Sequence, residues 1–241
     1  MSLSATIKTT ILDIVFPIAC VGCKQPKTFL CDTCLAHIPI RIDQVCPVCE
    51  KRNTLQGQVC LECLGRSSLD GLLVASSYKH LLLSKAIHLY KYRFIPTLSH
   101  PLGRLLLQSV TASEIPLPDM LCPVPLHPLR LRWRGFNQSE LLAQELSEKL
   151  VPQIPIPLTN GLVRSRFTMP QMSIRDTRER NQNILDAFAW KSSLSETDQD
   201  IQNKYIWLID DVATTASTLN ECARILKQNG AKKVFGVVLA R

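Results

Sequence analysis

Two adjacent carboxylates follow an apolar run near the end of the sequence and precede a row of hydroxyl side chains. Residues 205–209 have the composition of a buried strand, and Asp210 and Asp211 come directly after them. The residues that follow include Ala213, Thr214, Thr215, Ala216, Ser217 and Thr218. Because unpaired N–H groups and the dipole at the start of a helix favour negative charge, this segment predicts a site for a phosphate monoester. Two carboxylates would repel that phosphate, so we expect them to bind ribose hydroxyls or a magnesium ion held mainly by the ligand.

The elements around these residues are predicted to form one strand–helix–strand unit. Thr218 and Glu221 have the spacing of a capping box, and apolar residues recur at helical spacing after them. Gly230 predicts the end of the helix, and residues 233–240 predict a second buried strand. A right-handed crossover with parallel strands is expected. It would put the carboxylates and hydroxyls beyond the carboxyl ends of the strands, where α/β sheets bind ligands.

Two other interpretations of the carboxylate pair stay open at this point. The pair could be a magnesium and phosphoacceptor site of the receiver-domain type, or simply solvated acids before a helix. A receiver domain carries its acids on an early strand and a lysine on a later one, whereas this pair lies near the end of the sequence. The sequence contains neither a Walker loop nor a Gly-x-Gly-x-x-Gly motif, which excludes the two commonest other phosphate-binding loops.

Eight of the ten cysteines form four Cys-x-x-Cys pairs near the start of the sequence. They are Cys20, Cys23, Cys31, Cys34, Cys46, Cys49, Cys60 and Cys63. Eight thiolates supply two tetrahedral zinc sites, and the turn residues around them put the ligands on loops, as zinc ribbons require. We expect sequential pairing, four cysteines in each site, because it closes the shorter loops; interleaved pairing stays open.

Other uses of these cysteines fit the sequence less well. A disulfide framework is disfavoured because the N-terminus has no secretory pattern, and a redox motif because one redox pair does not predict four regular repeats. A reducing cytoplasm with bound zinc is therefore the expected setting. Cys122 and Cys222 have apolar neighbours and are predicted to be core thiols.

A third signal lies between the cysteine pairs and the acidic pair. Residues 122–128 predict a short strand that runs into a proline-rich turn, and Asn137 with Glu140 predicts the cap of the helix that follows. A strand, a rigid turn and a basic loop before a helix again form an anion site, suited here to a diphosphate. A proline-stiffened connection without any ligand is an equally open interpretation. Residues 164–184 are polar and basic, and we expect them to form a flexible hood over a site.

The composition indicates two domains of unequal size, residues 1–65 and residues 66–241. The first is too short to bury a large core, so bound metal must supply folding free energy, whereas the second suffices for an ordinary domain. The sequence has no window of 18 apolar residues, and we expect no membrane span. Residues 3–16 are expected to form a short amphipathic helix that docks on the protein itself, and residues 191–204 a polar loop.

The formal net charge of +8 falls mostly on the second part of the chain. Its arginines cluster at Arg130, Arg132, Arg134, Arg164, Arg166, Arg175, Arg178 and Arg180. Such an excess attracts a multiply anionic ligand or nucleic acid, and arginine favours bidentate phosphate contacts. Trp133 and Phe136 lie among these arginines, and stacking beside charge is typical of single-stranded DNA binding.

The segment from Asp210 to Thr218 resembles the phosphoribosyl diphosphate (PRPP) signature of type I phosphoribosyltransferases. That signature consists of an apolar strand, Asp-Asp, an apolar residue, any residue, and Thr-Thr-Gly-x-Thr. Ala216 stands where the signature mostly has Gly. If the loop needs a positive φ there, the methyl group costs roughly 1 kcal/mol.

Over its whole length the sequence is similar to the ComF family. The features that carry this resemblance, in chain order, are the cysteine pairs, residues 87–93 (Ile-His-Leu-Tyr-Lys-Tyr-Arg), residues 123–128 (Pro-Val-Pro-Leu-His-Pro), residues 134–143 (Arg-Gly-Phe-Asn-Gln-Ser-Glu-Leu-Leu-Ala), the polar residues 171–183 and the Asp-Asp motif. The resemblance implies an α/β, Rossmann-like parallel-sheet phosphoribosyltransferase fold with a small N-terminal double zinc ribbon. It also implies a cytoplasmic protein linked to the uptake or use of external DNA.

The resemblance assigns roles to the candidate site residues. Asp210 and Asp211 would bind the ribose hydroxyls of PRPP, and residues 213–218 its 5′-phosphate. Its diphosphate, with Mg²⁺, would be bound by the turn and a nearby arginine: Pro125, Leu126, His127 and Arg134. The implied activity is transfer of the phosphoribosyl group to a nitrogenous acceptor, for which the family supplies no agreed identity. The alternative is a non-catalytic protein that keeps the fold and binds single-stranded DNA or DNA-uptake proteins.

Overall fold

A computed structural model describes residues 18–166, 186–191 and 200–241. Its helices are α1 (Asp32–Ala36), α2 (Leu81–Tyr92), α3 (Ser99–Ser113), α4 (Pro128–Arg134), α5 (Gln138–Lys149) and α6 (Ser217–Gln228). Its strands are β1 (Gly71–Ser76), β2 (Met120–Pro123), β3 (Leu162–Arg164), β4 (Phe188–Trp190), β5 (Tyr205–Val212) and β6 (Lys233–Ala240). The predicted helix at residues 3–16, the core of the predicted hood and most of the predicted polar loop lie outside the described residues.

Four strands form one parallel sheet in the order β1, β6, β5, β2. The pairing of β5 with β6 extends from Tyr205 opposite Lys233 to Val212 opposite Ala240. The predicted strand–helix–strand unit with parallel strands is therefore confirmed, and α6 is its helix. Strand β5 continues through Asp210 and Asp211, so both carboxylates lie at the carboxyl end of an inner strand.

Alternating residues of the inner strands pack against helices on the two faces of the sheet, as the period of two in a strand requires. On one face, Trp207 and Ile209 of β5 pack in a core that includes residues of α2, α3 and α5. On the other face, Ile206 and Leu208 pack with residues of α6 and of the antiparallel pair β3–β4. Cys122 and Cys222 are fully buried in this second core, as predicted. The α/β class with a parallel sheet is confirmed.

The N-terminal cysteines form two groups of four, and the predicted sequential pairing is confirmed. Within each group the sulfur atoms lie within 4.8 Å of one another. The Sγ atoms of Cys20 and Cys31 are 3.7 Å apart, and those of Cys49 and Cys60 are 3.9 Å apart. Four thiolates bound to a tetrahedral zinc ion at about 2.3 Å lie about 3.8 Å from one another. The two groups therefore have the geometry of two structural zinc sites.

Backbone donors already favour thiolates in both groups. Burial opposes ionisation of Cys20, but N–H groups of the first cysteine group, led by that of Cys31, lower its pKa to about 6. The N–H groups of Lys51 and Arg52 likewise lower the pKa of Cys49 to about 6. Burial, by contrast, raises the pKa of Cys34 and of Cys63 to about 12. Each group therefore combines a readily ionised thiol with one that binds as a thiolate only when the metal displaces its proton.

The cysteine-rich part packs against the sheet domain through apolar and polar contacts. Leu30, Leu35 and Ile38 share the first core with the helices of the sheet domain. Gln44 is buried, and its amide pairs with edge strand β1: it accepts from the Val74 N–H at 3.0 Å and donates to the Val74 carbonyl at 3.1 Å. These bonds occupy backbone groups on the outer side of β1, which would otherwise form an open sheet edge. The division of the chain at residue 65 stays a prediction.

Among the described residues, no helix combines the length and the apolar character that crossing a membrane requires.

Removing one buried cysteine of the second group should remove one metal ion. We expect purified protein to contain about two zinc ions per chain, and Cys46→Ser to contain about one, because a four-thiolate site loses its closed shell when a ligand is lost. Elemental analysis of gel-filtered protein measures the ratio. Cys122→Ser is the matched control, since it changes an equally buried thiol outside both groups and should keep two ions. An unchanged ratio in Cys46→Ser would refute the zinc assignment.

Candidate functional site

A cavity of about 730 Å³ opens beyond the carboxyl ends of the parallel strands. β5 supplies Asp210 and Asp211, and the connection after it supplies Thr214. Lys91 comes from the end of α2, and Arg241 directly follows β6. The volume lies in the range of small-molecule sites, and the position is the one at which open α/β sheets bind ligands.

Asp210 lines this cavity, and two hydrogen bonds fix its carboxylate. Its Oδ1 accepts from the Ser139 hydroxyl and from the Asp211 N–H, each at 2.9 Å. Burial and, next, the charge of Asp211 raise the pKa of Asp210 to about 7, although Lys91 and the hydrogen bonds act in the opposite direction. Asp210 thus exchanges its proton near neutral pH, which is typical of residues at functional sites.

Asp211 forms an ion pair with Lys91. The distance from its Oδ1 to the Lys91 Nζ is 2.9 Å, and the side chains are 7% and 20% exposed. Burial lowers the pKa of Lys91, but the charges of Asp211 and Asp210 outweigh it and raise that pKa. Lys91 therefore stays charged and compensates the acidic pair. Lys91 lies within residues 87–93, one of the segments that carry the family resemblance, and its pairing with Asp211 is visible only in the fold.

The loop between β5 and α6 has a left-handed residue at its end. Ala216 has a φ of 54° and is the residue that precedes α6. The loop therefore does have a positive φ at this position, and an alanine adopts it at a higher conformational free energy than a glycine would. Ala216 is buried in the second core, so its methyl group also gains contacts. The Thr215 and Ser217 hydroxyls lie 2.6 Å apart.

Two sequence expectations for this loop are wrong. Thr218 and Glu221 form no capping box: α6 begins at Ser217, and the Glu221 carboxylate accepts from the Asp186 N–H and pairs with Arg224. The N–H of Asp186, which precedes β4, binds the Glu221 carboxylate in place of a backbone N–H at the start of α6. The Ala213 N–H does not face a ligand, because it donates to the Ala240 carbonyl at 3.1 Å as the sheet ladder continues. The backbone donors of the loop therefore begin after Ala213.

The turn after β2 and helix α4 form one wall of the cavity, which we call the arginine arm (residues 124–134). The His127 ring caps α4 by accepting from the Leu129 N–H at 3.2 Å. Arg130 and Arg134 both face the cavity, one helical turn apart, and Arg134 donates to the Gln138 side chain at 2.6 Å. Asn137 caps α5, as predicted, by accepting from the Ser139 N–H.

Most of the predicted site residues line this single cavity. Those that do are Asp210, Asp211, Ala213, Thr214, Thr218, Pro125, Leu126 and Arg134. Four lie beside it in the same loops without lining it: Thr215, Ala216, Ser217 and His127. Ser139 and Arg241 were missed. Ser139 follows a predicted helix cap, and Arg241 follows a predicted strand, so the rule that ligands bind beyond strand ends could have found Arg241.

The charges of the cavity suit a ligand with several negative groups. Five cations line it, namely Lys91, Arg130, Arg134, Arg164 and Arg241, against the two carboxylates. Preorganised cations in a concave site attract a polyanion and stabilise charge that develops on it. The carboxylates and hydroxyls beside them supply acceptors and donors for a sugar.

Breaking the Lys91–Asp211 pair should cost much more than breaking an exposed pair. Lys91→Met leaves a buried carboxylate without its cation, so we expect the free energy of unfolding to fall by about 3 kcal/mol, as measured by urea denaturation. Arg104→Met is the control, because it breaks the exposed pair with Asp32 and should cost under about 1 kcal/mol. Equal losses in the two variants would contradict the structural role given to Lys91.

Residues 11–66 match the family described as the double zinc ribbon domain. The match includes all eight cysteines of the two groups.

Full-length relatives share both parts of the chain. The chain is 31% identical over 236 residues to Competence protein F of Haemophilus influenzae, covering 94% of this chain and 98% of that protein. It is 31% identical over 230 residues to the DNA utilization protein YhgH of Escherichia coli, covering 92% of this chain and 96% of that protein. It is 26% identical over 231 residues to Competence protein ComFC of Bacillus subtilis, covering 90% and 86%. With this identity over nearly its whole length, the chain belongs to the ComF family.

Proposed function

We propose that the protein binds PRPP in the cavity and transfers its phosphoribosyl group to a nitrogenous acceptor, with release of diphosphate. The observation that carries this proposal is that three groups meet at one sheet edge: the Asp210–Asp211 pair, the hydroxyl-rich loop that opens α6, and the arginine arm. A sugar with a phosphate at one end and a diphosphate at the other has the complementary chemistry.

Each part of PRPP has a partner in this proposal. The 5′-phosphate lies at the start of α6, where the helix dipole and the hydroxyls of Thr214 and Thr218 favour an anion. The ribose hydroxyls donate to Asp210 and Asp211. The diphosphate lies against Arg130 and Arg134 of the arginine arm.

Magnesium fits the donor set of the cavity. The described hydrogen bonds of Asp210 and Asp211 engage Oδ1 of each carboxylate. Carboxylate oxygens together with ligand phosphate oxygens are what Mg²⁺ prefers, and the ion would neutralise charge on the diphosphate. Asp210 and Asp211 are the residues that would hold it.

The reaction follows from these placements. The acceptor nitrogen forms a bond to C1′ while the bond from C1′ to the diphosphate oxygen breaks, and the electron pair of that bond leaves with the diphosphate. An acceptor nitrogen that carries a proton then gives it up to water, and a pyridine nitrogen keeps the positive charge that it gains. Carboxylates near the ribose stabilise the positive charge that develops on the sugar, and the arginines stabilise the leaving diphosphate. Holding the reactants in position supplies much of the remaining rate enhancement.

The names of the relatives support a role in the handling of DNA. Proteins called Competence protein F and DNA utilization protein share the whole length of the chain. We infer that this protein likewise serves the uptake or use of DNA. A cytoplasmic location stays a prediction.

PRPP with magnesium should raise the melting temperature of the protein. At a PRPP concentration of about 100 Kd the expected stabilisation is about 2.7 kcal/mol, or roughly 5–10 °C for a chain of this size. Asp210→Asn combined with Asp211→Asn should abolish the shift, because the ribose hydroxyls lose their ionised acceptors. Differential scanning fluorimetry measures both.

The matched control is Asp119→Asn. Asp119 accepts a hydrogen bond from the Tyr205 N–H at the start of β5, so it lies at the amino ends of the strands, away from the cavity. An Asn oxygen can still accept this hydrogen bond. This variant should keep the full shift. An equal shift in the double variant would reject the site assignment, and no shift in the wild type would reject PRPP as the ligand.

A second candidate function is binding of single-stranded DNA along the arginine arm. Helix α4 buries none of its residues, and Trp133 is 66% exposed at the cavity wall beside Arg130. An exposed indole beside arginines offers a surface on which a base can stack. The other predicted aromatic, Phe136, does not serve this role, because it packs against Tyr90 in the core.

This candidate is tested by the salt dependence of oligonucleotide binding. Fluorescence anisotropy should show affinity for a labelled single strand that falls steeply with salt and drops about tenfold in Trp133→Ala, since each stacked base contributes about 1–3 kcal/mol. Leu61→Ala removes an exposed apolar side chain from the cysteine-rich part and should change nothing. Absence of binding at low salt, or equal affinity in the two variants, would remove this candidate.

A further inference from the structure

Arg241 lies at the same sheet edge as the acidic pair but on the β6 side. It follows directly on β6, and its carbonyl accepts from the Tyr78 N–H at 3.0 Å. Its side chain lines the cavity. In the sheet order β1, β6, β5, β2, the arginine arm stands on the β2 side, so Arg241 approaches the cavity from the other side of Asp210 and Asp211.

The cysteine-rich part of the chain holds the Arg241 guanidinium. One terminal nitrogen of Arg241 forms an ion pair with Glu50 and lies 3.5 Å from the Pro47 carbonyl oxygen. Pro47 lies between two cysteines of the second group, and Glu50 follows that pair directly. The Arg241 side chain is only 10% exposed, whereas that of Glu50 is 54% exposed. One end of the guanidinium is thus fixed by the second cysteine group.

The other edge of this guanidinium is not used by the described residues. The Arg241 Nε is buried and has no hydrogen-bond partner among them. A buried donor without a partner is costly, and the Nε of Arg134 on the arginine arm is in the same state. Because the Arg241 side chain lines the cavity, the terminal nitrogen that Glu50 and Pro47 do not engage is the group that can meet a ligand oxygen there.

The position of Arg241 separates it from both phosphate sites of the proposed PRPP complex. The Arg241 carbonyl accepts from the N–H of Tyr78, and Tyr78 packs against the first core. Helix α6, whose start is proposed to hold the 5′-phosphate, packs on the opposite face of the sheet. The proposed diphosphate site lies across the acidic pair on the arginine arm. Arg241 is therefore available to the second substrate.

We propose that Arg241 is a specificity residue for the acceptor, and that this acceptor is a nitrogen heterocycle that carries an anionic oxygen group, a carboxylate or a phosphate. This inference rests on the proposed function, because it assigns the part of the cavity that PRPP leaves open. A guanidinium fixed at one end presents its remaining N–H groups in a planar array that matches such an oxyanion.

Pairs of heterocycles that differ in a carboxylate test this inference. Orotate and uracil form one pair, and nicotinate and nicotinamide form another. Titration calorimetry, with and without saturating PRPP and magnesium, should show that the carboxylate member of at least one pair binds about tenfold more tightly to the wild type, the size expected for hydrogen bonds to a charged group. Arg241→Met should remove the preference, and Arg241→Lys should restore part of it.

The control must remove one positive charge near the second cysteine group without changing a residue that lines the cavity. Arg52→Met does so, because Arg52 pairs with Glu62 on the cysteine-rich part and is 57% exposed. It should keep the preference. Arg241→Met is expected to fold, because the carboxylate that it leaves behind, that of Glu50, is half exposed.

The outcomes separate the two proposals. A preference that persists in Arg241→Met, or is absent from the wild type in both pairs, overturns the inference about Arg241. A loss of PRPP affinity of about tenfold or more in Arg241→Met also overturns it, since Arg241 would then belong to the PRPP site. Failure of PRPP to bind the wild type overturns the proposed function instead, and the carboxylate preference measured without PRPP still decides the role of Arg241.

Discussion

Two adjacent carboxylates at the end of β5, Asp211 buried and Asp210 half-buried, are the constraint that organises this molecule. Like charges so close together destabilise each other, so the fold must bring a cation and hydrogen-bond donors to them. Lys91 from the end of α2 pairs with Asp211, and Ser139 from the first turn of α5 donates to Asp210. The two helices are tied together beneath the site, because the buried Tyr90 hydroxyl donates to the Gln138 carbonyl at 2.9 Å. The contacts that compensate the charge of the acidic pair therefore come from the same two helices, α2 and α5, that are hydrogen-bonded to each other.

The cysteine-rich part is more than an appended unit in this arrangement. Its apolar residues enter the core on the face of the sheet that carries α2 and α3, and Gln44 covers the outer edge of β1. Glu50 then reaches Arg241 at the cavity. A structural zinc site fixes a short chain segment that has little core of its own. Residues that contact this segment, such as Arg241, are then held in place as well. Loss of metal from the second group would consequently disturb a residue of the cavity as well as the ribbon.

The sequence predicted the features that depend on local pattern and missed those that depend on tertiary contacts. Apolar runs predicted β5 and β6, and regular spacing predicted two groups of four cysteines. Both signals lie within short stretches of the sequence, so they can be recognised without the fold. The capping box at Thr218 failed because Glu221 accepts from the N–H of Asp186, 35 residues earlier, which no local rule anticipates. Glu221 also pairs with Arg224 one turn further along the helix. The pairing of Lys91 with Asp211 and the anchoring of Arg241 by Glu50 join residues far apart in sequence, so only the fold reveals them.

The raised pKa of Asp210 links the acidic pair to the kind of ligand it can hold. Burial and the neighbouring Asp211 raise this pKa to about 7, so near neutral pH the carboxyl group is partly protonated. A ribose hydroxyl donates a stronger hydrogen bond to an ionised carboxylate than to a neutral carboxyl group, and a divalent cation needs the ionised form. Binding of either therefore favours the ionised form of Asp210 and lowers its pKa. The closeness of the two carboxylates thus makes the pair selective for ligands that bring hydrogen-bond donors or positive charge. The surrounding arginines select for the phosphates that such a ligand carries.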